Sequence, residues 1–198
     1  GETLAQLIDR IVPIMFDPQI DNKKVCLDAG IDLVECSAVN FYEGVTQQEV
    51  LDYYDRIADE QDTTPISYGL NSKKIKQNGQ VVESVYKLDG VYGPAIKHII
   101  KWLKKAILVA ESDVQRAALE KLVAYYTTGD LRKFDEYNIL WVQDTTSVVD
   151  AINGFIEVYD DPLGHNGSWE SVVSIKDLDA TAKFGVLSHE AQWFEDNS

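Results

Sequence analysis

The chain has 198 residues, with 33 Asp and Glu against 18 Lys and Arg, so its formal net charge is −15. Because Lys and Arg that neutralise phosphates supply most of the affinity for nucleic acid, this acidic excess argues against nucleic-acid and anionic-membrane partners. The chain has 45% hydrophobic residues and no run of about 18 apolar residues, so we expect one compact folded unit over residues 1–198 and no membrane-spanning helix.

Six segments have apolar residues at the spacing of an amphipathic helix. The first is predicted to end near Pro13, because proline removes a backbone donor. The second begins with a capping box formed by Thr46 and Glu49. The fifth begins after Asp130, a residue type that favours the N-cap position. These helices are predicted over residues 4–13, 46–59, 96–107, 119–126, 131–137 and 180–194.

Four other segments are predicted to be β-strands. Asn78-Gly79 tolerates the positive φ angles of a type I′ turn and joins the first two strands as a hairpin. The last two are rich in β-branched and aromatic residues and flank a loop with Pro, Gly and Asn, so we expect them to pair antiparallel. The strands are predicted over residues 67–76, 80–88, 155–159 and 169–175. Strands and helices alternate without a repeat or linker, which indicates the α+β fold class.

The sequence shows few signs of metal, redox or phosphate chemistry. Cys26 and Cys36 have neither C-x-x-C spacing nor a nearby His, so we interpret them as buried structural thiols. The three histidines are scattered, and His189-Glu190 is followed by Trp193 where an H-E-x-x-H zinc helix needs its second His. We therefore expect no metal site in this chain. No basic and apolar leader opens the sequence, so we expect a cytoplasmic location.

The segment with the most chemical content runs from Gly154 to Gly164. On a strand, residues two apart share a face and lie roughly 6–7 Å apart, so Glu157 and Tyr159 are predicted to project together. A carboxylate can hold an ammonium group, and a phenol can donate a hydrogen bond to an oxygen that becomes negative during a reaction. This pairing suits the N-terminus of a peptide.

The strand that follows adds Trp169 as an apolar wall and Glu170 as a second carboxylate. The same residues also fit a plain hairpin with a solvent-facing polar side, or a non-enzymatic peptide-binding or scaffold domain. A glycosidase would use Glu157 and Glu170 as an acid and nucleophile pair, which requires a carboxylate separation of about 5–9.5 Å. The residue pattern leaves these alternatives open.

A longer sequence pattern favours one of these alternative functions. Gly-Phe-Ile-Glu-x-Tyr-x-Asp-Pro-x-Gly over residues 154–164, followed by Gly-x-aromatic-Glu over 167–170, resembles the first signature region of the dipeptidyl peptidase III family of zinc metallopeptidases. Segments 67–72, 141–144 and 182–184 also resemble the family, so the likeness runs from about Val39 to the end. It implies a fragment of a two-lobed dipeptidyl aminopeptidase, from the lobe with a β-barrel-like antiparallel core and packed helices.

The resemblance also implies roles for individual residues. Glu157 matches the carboxylate that binds the substrate's α-amino group, Tyr159 matches the tyrosine that stabilises the tetrahedral intermediate, and Glu170 matches an acidic residue near the N-terminal subsites. Wall and backbone positions of an edge strand, where a peptide adds as another strand, are matched by Gly154, Phe155 and Ile156. Asp160 departs from the family, whose animal members carry Arg there.

The implied partners are short peptides with a free N-terminus and the remaining lobe of the same chain. The implied cofactor is zinc, held in the other lobe by an H-E-x-x-G-H helix and a later Glu that have no match in this sequence. The fragment alone is therefore expected to bind no metal and to be inactive.

Overall fold

The computed structural model describes residues 2–20, 23–59 and 61–198. Strands and helices are mixed along this part of the chain, as predicted. The helices are α1 (Leu4–Phe16), α2 (Gln47–Ile57), α3 (Gly93–Ile107), α4 (Asp113–Thr128), α5 (Leu131–Gln143), α6 (Leu178–His189) and α7 (Ala191–Asp196). The strands are β1 (Tyr42–Glu43), β2 (Ser72–Gln77), β3 (Gln80–Val85), β4 (Val149–Glu157) and β5 (Ser168–Ile175).

The strands form two small sheets. One has the order β1-β2-β3, with β1 parallel and β3 antiparallel to β2. The predicted hairpin turn is confirmed, since Asn78 and Gly79 have φ angles of 52° and 79°. The other sheet is the antiparallel pair β4-β5, also as predicted. Because these sheets are separate in the described residues, the closed barrel that the resemblance implied is not observed there.

The main core is formed by the central helices and by Phe155 near the end of β4. Apolar faces of α3, α4 and α5 meet over Ile96, Leu122 and Phe134, and Phe155 of β4 packs against the same cluster. Burial of aromatic and branched side chains of this kind contributes roughly 1.5–3 kcal/mol each. The core therefore fixes the loop end of the β4-β5 hairpin against three helices.

A smaller cluster lies beneath the other sheet. Val50 and Tyr54 of α2 are buried together with Val45, and α2 begins at the predicted capping box of Thr46 and Glu49. The hydroxyl of Thr46 accepts a hydrogen bond from the Glu49 amide, and the Glu49 carboxylate accepts one from the Thr46 amide. This cap orients α2 so that Tyr54 points toward the loop after β4.

Several helix predictions are wrong in their bounds, since α4 begins six residues before the predicted start and α5 ends six residues after the predicted end. The first helix continues through Pro13 to Phe16, and its end is stabilised by a hydrogen bond from the Asp17 amide to the Pro13 carbonyl. The carbonyl left without a donor by the proline faces solvent on a helix that buries no residue, so water can satisfy it. The C-terminal helix is divided in two, with Glu190 between α6 and α7.

The prediction of two free thiols is also wrong. Cys26 and Cys36 form a disulfide across a separation of 10 residues. The backbone brings them together, since the Ala38 amide donates to the Lys23 carbonyl at 3.0 Å and the Cys26 amide donates to Ser37 Oγ at 2.9 Å. Sequence spacing gave no sign of this closure.

Candidate functional site

The residues singled out from the sequence lie on the β4-β5 hairpin. Gly154 pairs with Glu170, Phe155 with Trp169, and Glu157 with Ser168. The register shifts between Phe155 and Glu157, which leaves Ile156 as the extra residue of a bulge. Bulges redirect side chains and occur beside functional sites. The hairpin therefore changes geometry at the glutamate that the sequence indicated.

Glu157 and Tyr159 are close along the chain but lie on different structural elements, a strand and a turn. Glu157 is half-buried and is the last residue of β4. Tyr159 follows in a turn that is closed by a hydrogen bond from the Asp161 amide to the Val158 carbonyl at 3.0 Å, and its side chain is 72% exposed. The prediction that both residues lie on the strand is wrong, because the chain leaves the ladder after Glu157.

The predicted wall residues divide between two sides of the hairpin. Phe155 is buried and contacts Tyr86 with ring centroids 4.9 Å apart. Ile156 instead lines a depression of about 590 Å³ together with Val158 and the α2 residue Tyr54. The placement of Ile156 and Val158 in one depression agrees with the alternation predicted for the strand.

Gly154 and Glu170 face each other across the hairpin. A side chain at Gly154 would meet the ring of Phe134, since a Cβ there would lie 2.9 Å from its edge. Glycine is therefore required for β4 to approach α5 this closely. Glu170 is half-buried, and its exposed neighbour Trp169 is oriented by a hydrogen bond from its Nε1 to the Tyr126 hydroxyl at 3.0 Å.

A cavity of about 520 Å³ lies on the Phe155 side of the hairpin. Trp169 and Phe155 form one wall, and Tyr92 and Ile99 lie at the other side. The lining is mostly aromatic and aliphatic, so this cavity suits apolar groups. Glu157 and Tyr159 do not line it, which separates the apolar cavity from the two polar side chains.

The loop of residues 158–167 is organised by a carboxylate that sequence reasoning did not select. Asp161 is buried, and its two oxygens accept hydrogen bonds from the amides of Leu163, His165 and Asn166 at 3.0, 2.9 and 2.7 Å. The Tyr42 hydroxyl donates to the same carboxylate at 2.7 Å. Burial and the charge of Asp161 raise the pKa of Tyr42, so this phenol remains a donor. The Asp-Pro-x-Gly motif that begins at Asp161 is the sequence feature that could have indicated this residue.

Asn166 and Lys74 connect the loop to the neighbouring elements. Asn166 is fully buried, accepts a hydrogen bond from the Tyr54 hydroxyl at 3.1 Å and donates to the Ser72 carbonyl at 3.0 Å. Lys74 is also fully buried, and its Nζ donates to Glu83 at 3.0 Å and lies 4.8 Å from the centre of the Tyr54 ring. Burial lowers the pKa of Lys74, although the charge of Glu83 opposes this effect.

His165 completes the group of side chains around Tyr54. The two rings are stacked, with centroids 3.7 Å apart and planes 17° apart. The pKa of His165 is lowered because burial disfavours its charged form and Lys74 repels it, although Asp161 opposes the shift. A neutral imidazole is therefore favoured in this stack.

Asp160, the position at which the resemblance implied a departure from the family, makes local contacts. Its carboxylate pairs with Lys24 Nζ at 2.7 Å and accepts a hydrogen bond from Ser168 Oγ at 3.2 Å. Lys24 lies just before the segment closed by the Cys26–Cys36 disulfide. The position therefore carries a negative charge neutralised by a lysine from another part of the chain.

The described residues do not fit a zinc centre. Among residues 2–20, 23–59 and 61–198, no group of three His, Cys, Asp or Glu side chains is placed to hold a metal ion. Within the same ranges, no helix combines the length and apolar character needed to cross a membrane. The chemistry that this hairpin offers is thus a carboxylate, an accessible phenol and apolar walls.

Comparisons with known proteins identify the family of this chain. A model of Peptidase family M49 matches residues 35–195. The dipeptidyl peptidase 3 of Rattus norvegicus is 28% identical over 178 residues, which are 89% of this chain and 24% of the relative. The dipeptidyl peptidase 3 of Homo sapiens is 30% identical over 103 residues, which are 52% of this chain and 14% of the relative.

Two solved structures share the fold. The DPP III from Caldithrix abyssi has a TM-score of 0.62 at 20% identity and covers 80% of this chain and 29% of its own. The dipeptidyl-peptidase III from Corallococcus sp. strain EGB has a TM-score of 0.56 at 22% identity and covers 80% of this chain and 28% of its own. The chain thus spans about a quarter of the length of these relatives. Since the family match covers most of its residues, including the whole β4-β5 hairpin, the chain belongs to peptidase family M49, the dipeptidyl peptidase III family.

Proposed function

We propose that this chain is the substrate-binding part of a dipeptidyl peptidase that releases dipeptides from peptides with a free N-terminus. The observation that carries the proposal is the placement of Glu157 at the end of β4 and of Tyr159 in the turn that follows, inside the segment matched by the family. The parent is proposed to be a cytoplasmic enzyme with its zinc in the other lobe. When bound, that metal supplies an activated water and polarises the scissile carbonyl.

In this proposal Glu157 binds the ammonium group of the peptide. A strand-end carboxylate has a fixed position because the Glu157–Ser168 pair and the bulge before it set the local backbone. An anion in a fixed position binds the free amine at a set distance from the bond that is cut. Positioning of this kind lowers the barrier to reaction. Gly154, Phe155 and Ile156 contribute backbone and wall to the same strand, and Glu170 adds negative charge beside it.

Tyr159 has a different role in the proposal. Its exposed phenol donates a hydrogen bond to the carbonyl oxygen of the scissile bond, and this bond strengthens as the oxygen gains negative charge. Loss of one such donor typically lowers kcat by about 100- to 1,000-fold. The role in transition-state stabilisation belongs to Tyr159 and the role in substrate binding to Glu157, so the two residues are separable by kinetics.

The remaining lobe is the proposed structural partner of this chain. Its support is the distribution of exposed apolar residues. Both α1 and the α6-α7 segment bury no residue, yet they expose large apolar side chains such as Phe16, Phe184 and Trp193. Exposed apolar faces of this kind mark contact surfaces in larger proteins.

The test uses the complete gene product that contains this sequence, with a dipeptidyl-arylamide as substrate. Tyr159→Phe should lower kcat by about 100-fold or more with little change in KM, because only the transition state loses a hydrogen bond. Glu157→Gln should raise KM for the free amine and reduce the preference over the N-acetylated substrate. An unchanged kcat in the first variant, or an unchanged preference in the second, would remove that residue from the mechanism.

A further inference from the structure

Pairing between β4 and β5 does not fix the position of Tyr159. Because the chain leaves the β4 ladder after Glu157, the phenol of Tyr159 is not held by sheet pairing. Its backbone belongs to a turn whose only regular closure is the bond from the Asp161 amide to the Val158 carbonyl. An exposed side chain on such a turn needs another source of rigidity if it is to serve in catalysis.

Asp161 has the geometry to supply that rigidity. Three backbone amides of the 158–167 loop and the Tyr42 hydroxyl converge on one buried carboxylate. Hydrogen bonds to an ionised acceptor are the strong ones, and a buried carboxylate that lost them would carry a large desolvation cost. The loop conformation and the position of this carboxylate therefore depend on each other.

The loop is also attached to elements outside the hairpin. Tyr42 belongs to β1, and Tyr54, whose hydroxyl donates to Asn166, belongs to α2. The Gly167 amide donates to the Leu70 carbonyl at 2.8 Å. These attachments place the turn against the three-stranded sheet and α2, whereas Glu157 is placed by its own pairing with β5.

We propose that Asp161 is a positioning residue, which acts through the loop of residues 158–167 to hold Tyr159 at the scissile carbonyl while leaving the amine-binding position of Glu157 in place. The inference rests on the proposed function, since it assigns a second residue to the same site. The Asp161 side chain is buried beneath the loop. Its effect is transmitted through the loop backbone, so it should appear in turnover and not in recognition of the free amine.

The first experiment compares Asp161→Asn with the wild-type complete gene product on the dipeptidyl-arylamide. The amide keeps the size of the side chain but places an N–H₂ where loop amides need an acceptor. We expect kcat to fall at least tenfold and KM to change less than threefold. Asp150→Asn is the matched control, because Asp150 lies on β4, undergoes the same chemical change and accepts a hydrogen bond from Trp141 away from the loop. It should leave both constants unchanged.

A double-mutant cycle with Tyr159→Phe separates positioning from general destabilisation. If Asp161 acts through Tyr159, adding Asp161→Asn to Tyr159→Phe should lower kcat by less than twofold further, because the hydrogen bond that it positions is already gone. A merely structural role would lower kcat by the same factor in both backgrounds, and that result would overturn the inference. A normal kcat for Tyr159→Phe alone would instead contradict the proposed function of Tyr159.

Tyr42→Phe provides a second variant if Asp161→Asn does not accumulate as folded protein. It removes one of the bonds to the Asp161 carboxylate and leaves the three loop amides paired. We expect a kcat about two- to fivefold lower with unchanged KM, and again little further loss when it is combined with Tyr159→Phe. A full kcat in Tyr42→Phe, or a loss by the same factor with and without Tyr159→Phe, would contradict the inference.

Discussion

His165 makes the most direct prediction at the scale of single residues. Its ring stacks on Tyr54, and its pKa lies below the ordinary value of 6.5 because burial disfavours the imidazolium. The unfolded chain therefore binds a proton at a higher pH than the folded chain does. Stability supplied by the neutral stack is present above pH 6.5 and is lost as the pH falls through the lowered pKa.

His165→Phe should remove this dependence while it keeps an aromatic ring against Tyr54. Thermal unfolding at pH 8 and pH 5.5 gives the measurement, and the wild type should lose more of its melting temperature between these values than the variant. Carboxylates such as Glu49, whose pKa is lowered from 4.5 by its bond with Lys76, act at lower pH and do not confuse the comparison. Equal losses in both proteins would show that the stack does not resist protonation.

The residues of the candidate site differed in how far sequence could reveal them. Glu157 and Glu170 were selected because a motif surrounds them. Asp161 was not selected, although the motif contains it, because the role proposed for it depends on three amides that converge only in the folded loop. Lys74 was missed for a similar reason, since a lysine on a polar strand gives no sign that it is fully buried beside Tyr54.

At the scale of elements, the hairpin that carries the site depends on close backbone contact at Gly167. A Cβ at this position would lie 2.9 Å from the Leu70 carbonyl oxygen and 3.0 Å from the backbone of Phe155. Neither neighbour is a flexible side-chain end, so the backbone itself would have to move. Glycine is therefore needed where β5 begins.

Gly167→Ala should destabilise the protein by about 1–3 kcal/mol, the usual cost of inserting a methyl group into a packed site. Gly185→Ala is the matched control, because a Cβ there meets nothing within 4 Å and alanine favours the α6 helix. Chemical denaturation of the two variants should show a lower midpoint for the first and an unchanged or higher midpoint for the second. Equal midpoints would mean that the close approach at Gly167 is not maintained.

Local chemistry predicted the elements well where one residue type determines the backbone. The Asn78-Gly79 turn, the Thr46–Glu49 capping box and the Asp130 N-cap all occur as predicted. Predictions failed where contacts between residues distant in sequence determine the local structure. The strand was expected to reach Tyr159 but ends at the Glu157–Ser168 pair, because the Asp161 network turns the chain away from β5. The Cys26–Cys36 disulfide likewise depends on a loop closure that spacing does not indicate.

At the scale of the whole molecule, the net charge favours the same cationic groups that the proposed site would bind. A chain with a net charge of −15 attracts cationic groups such as a peptide ammonium, and Glu157 and Glu170 provide carboxylates on the site hairpin itself. The apolar cavity beside Phe155 and Trp169 lies on the same hairpin. Since the chain spans about a quarter of its relatives, the site is proposed to be completed by residues outside it.

We propose that the hairpin belongs to an enzyme that recognises a free amine and cuts two residues from it. The most direct test is dipeptide release by the complete gene product from a free and an N-acetylated peptide of the same sequence, analysed by mass spectrometry. We expect release of the N-terminal dipeptide from the free peptide and little cleavage of the blocked one. Equal cleavage of both peptides, or no dipeptide from either, would contradict the proposal.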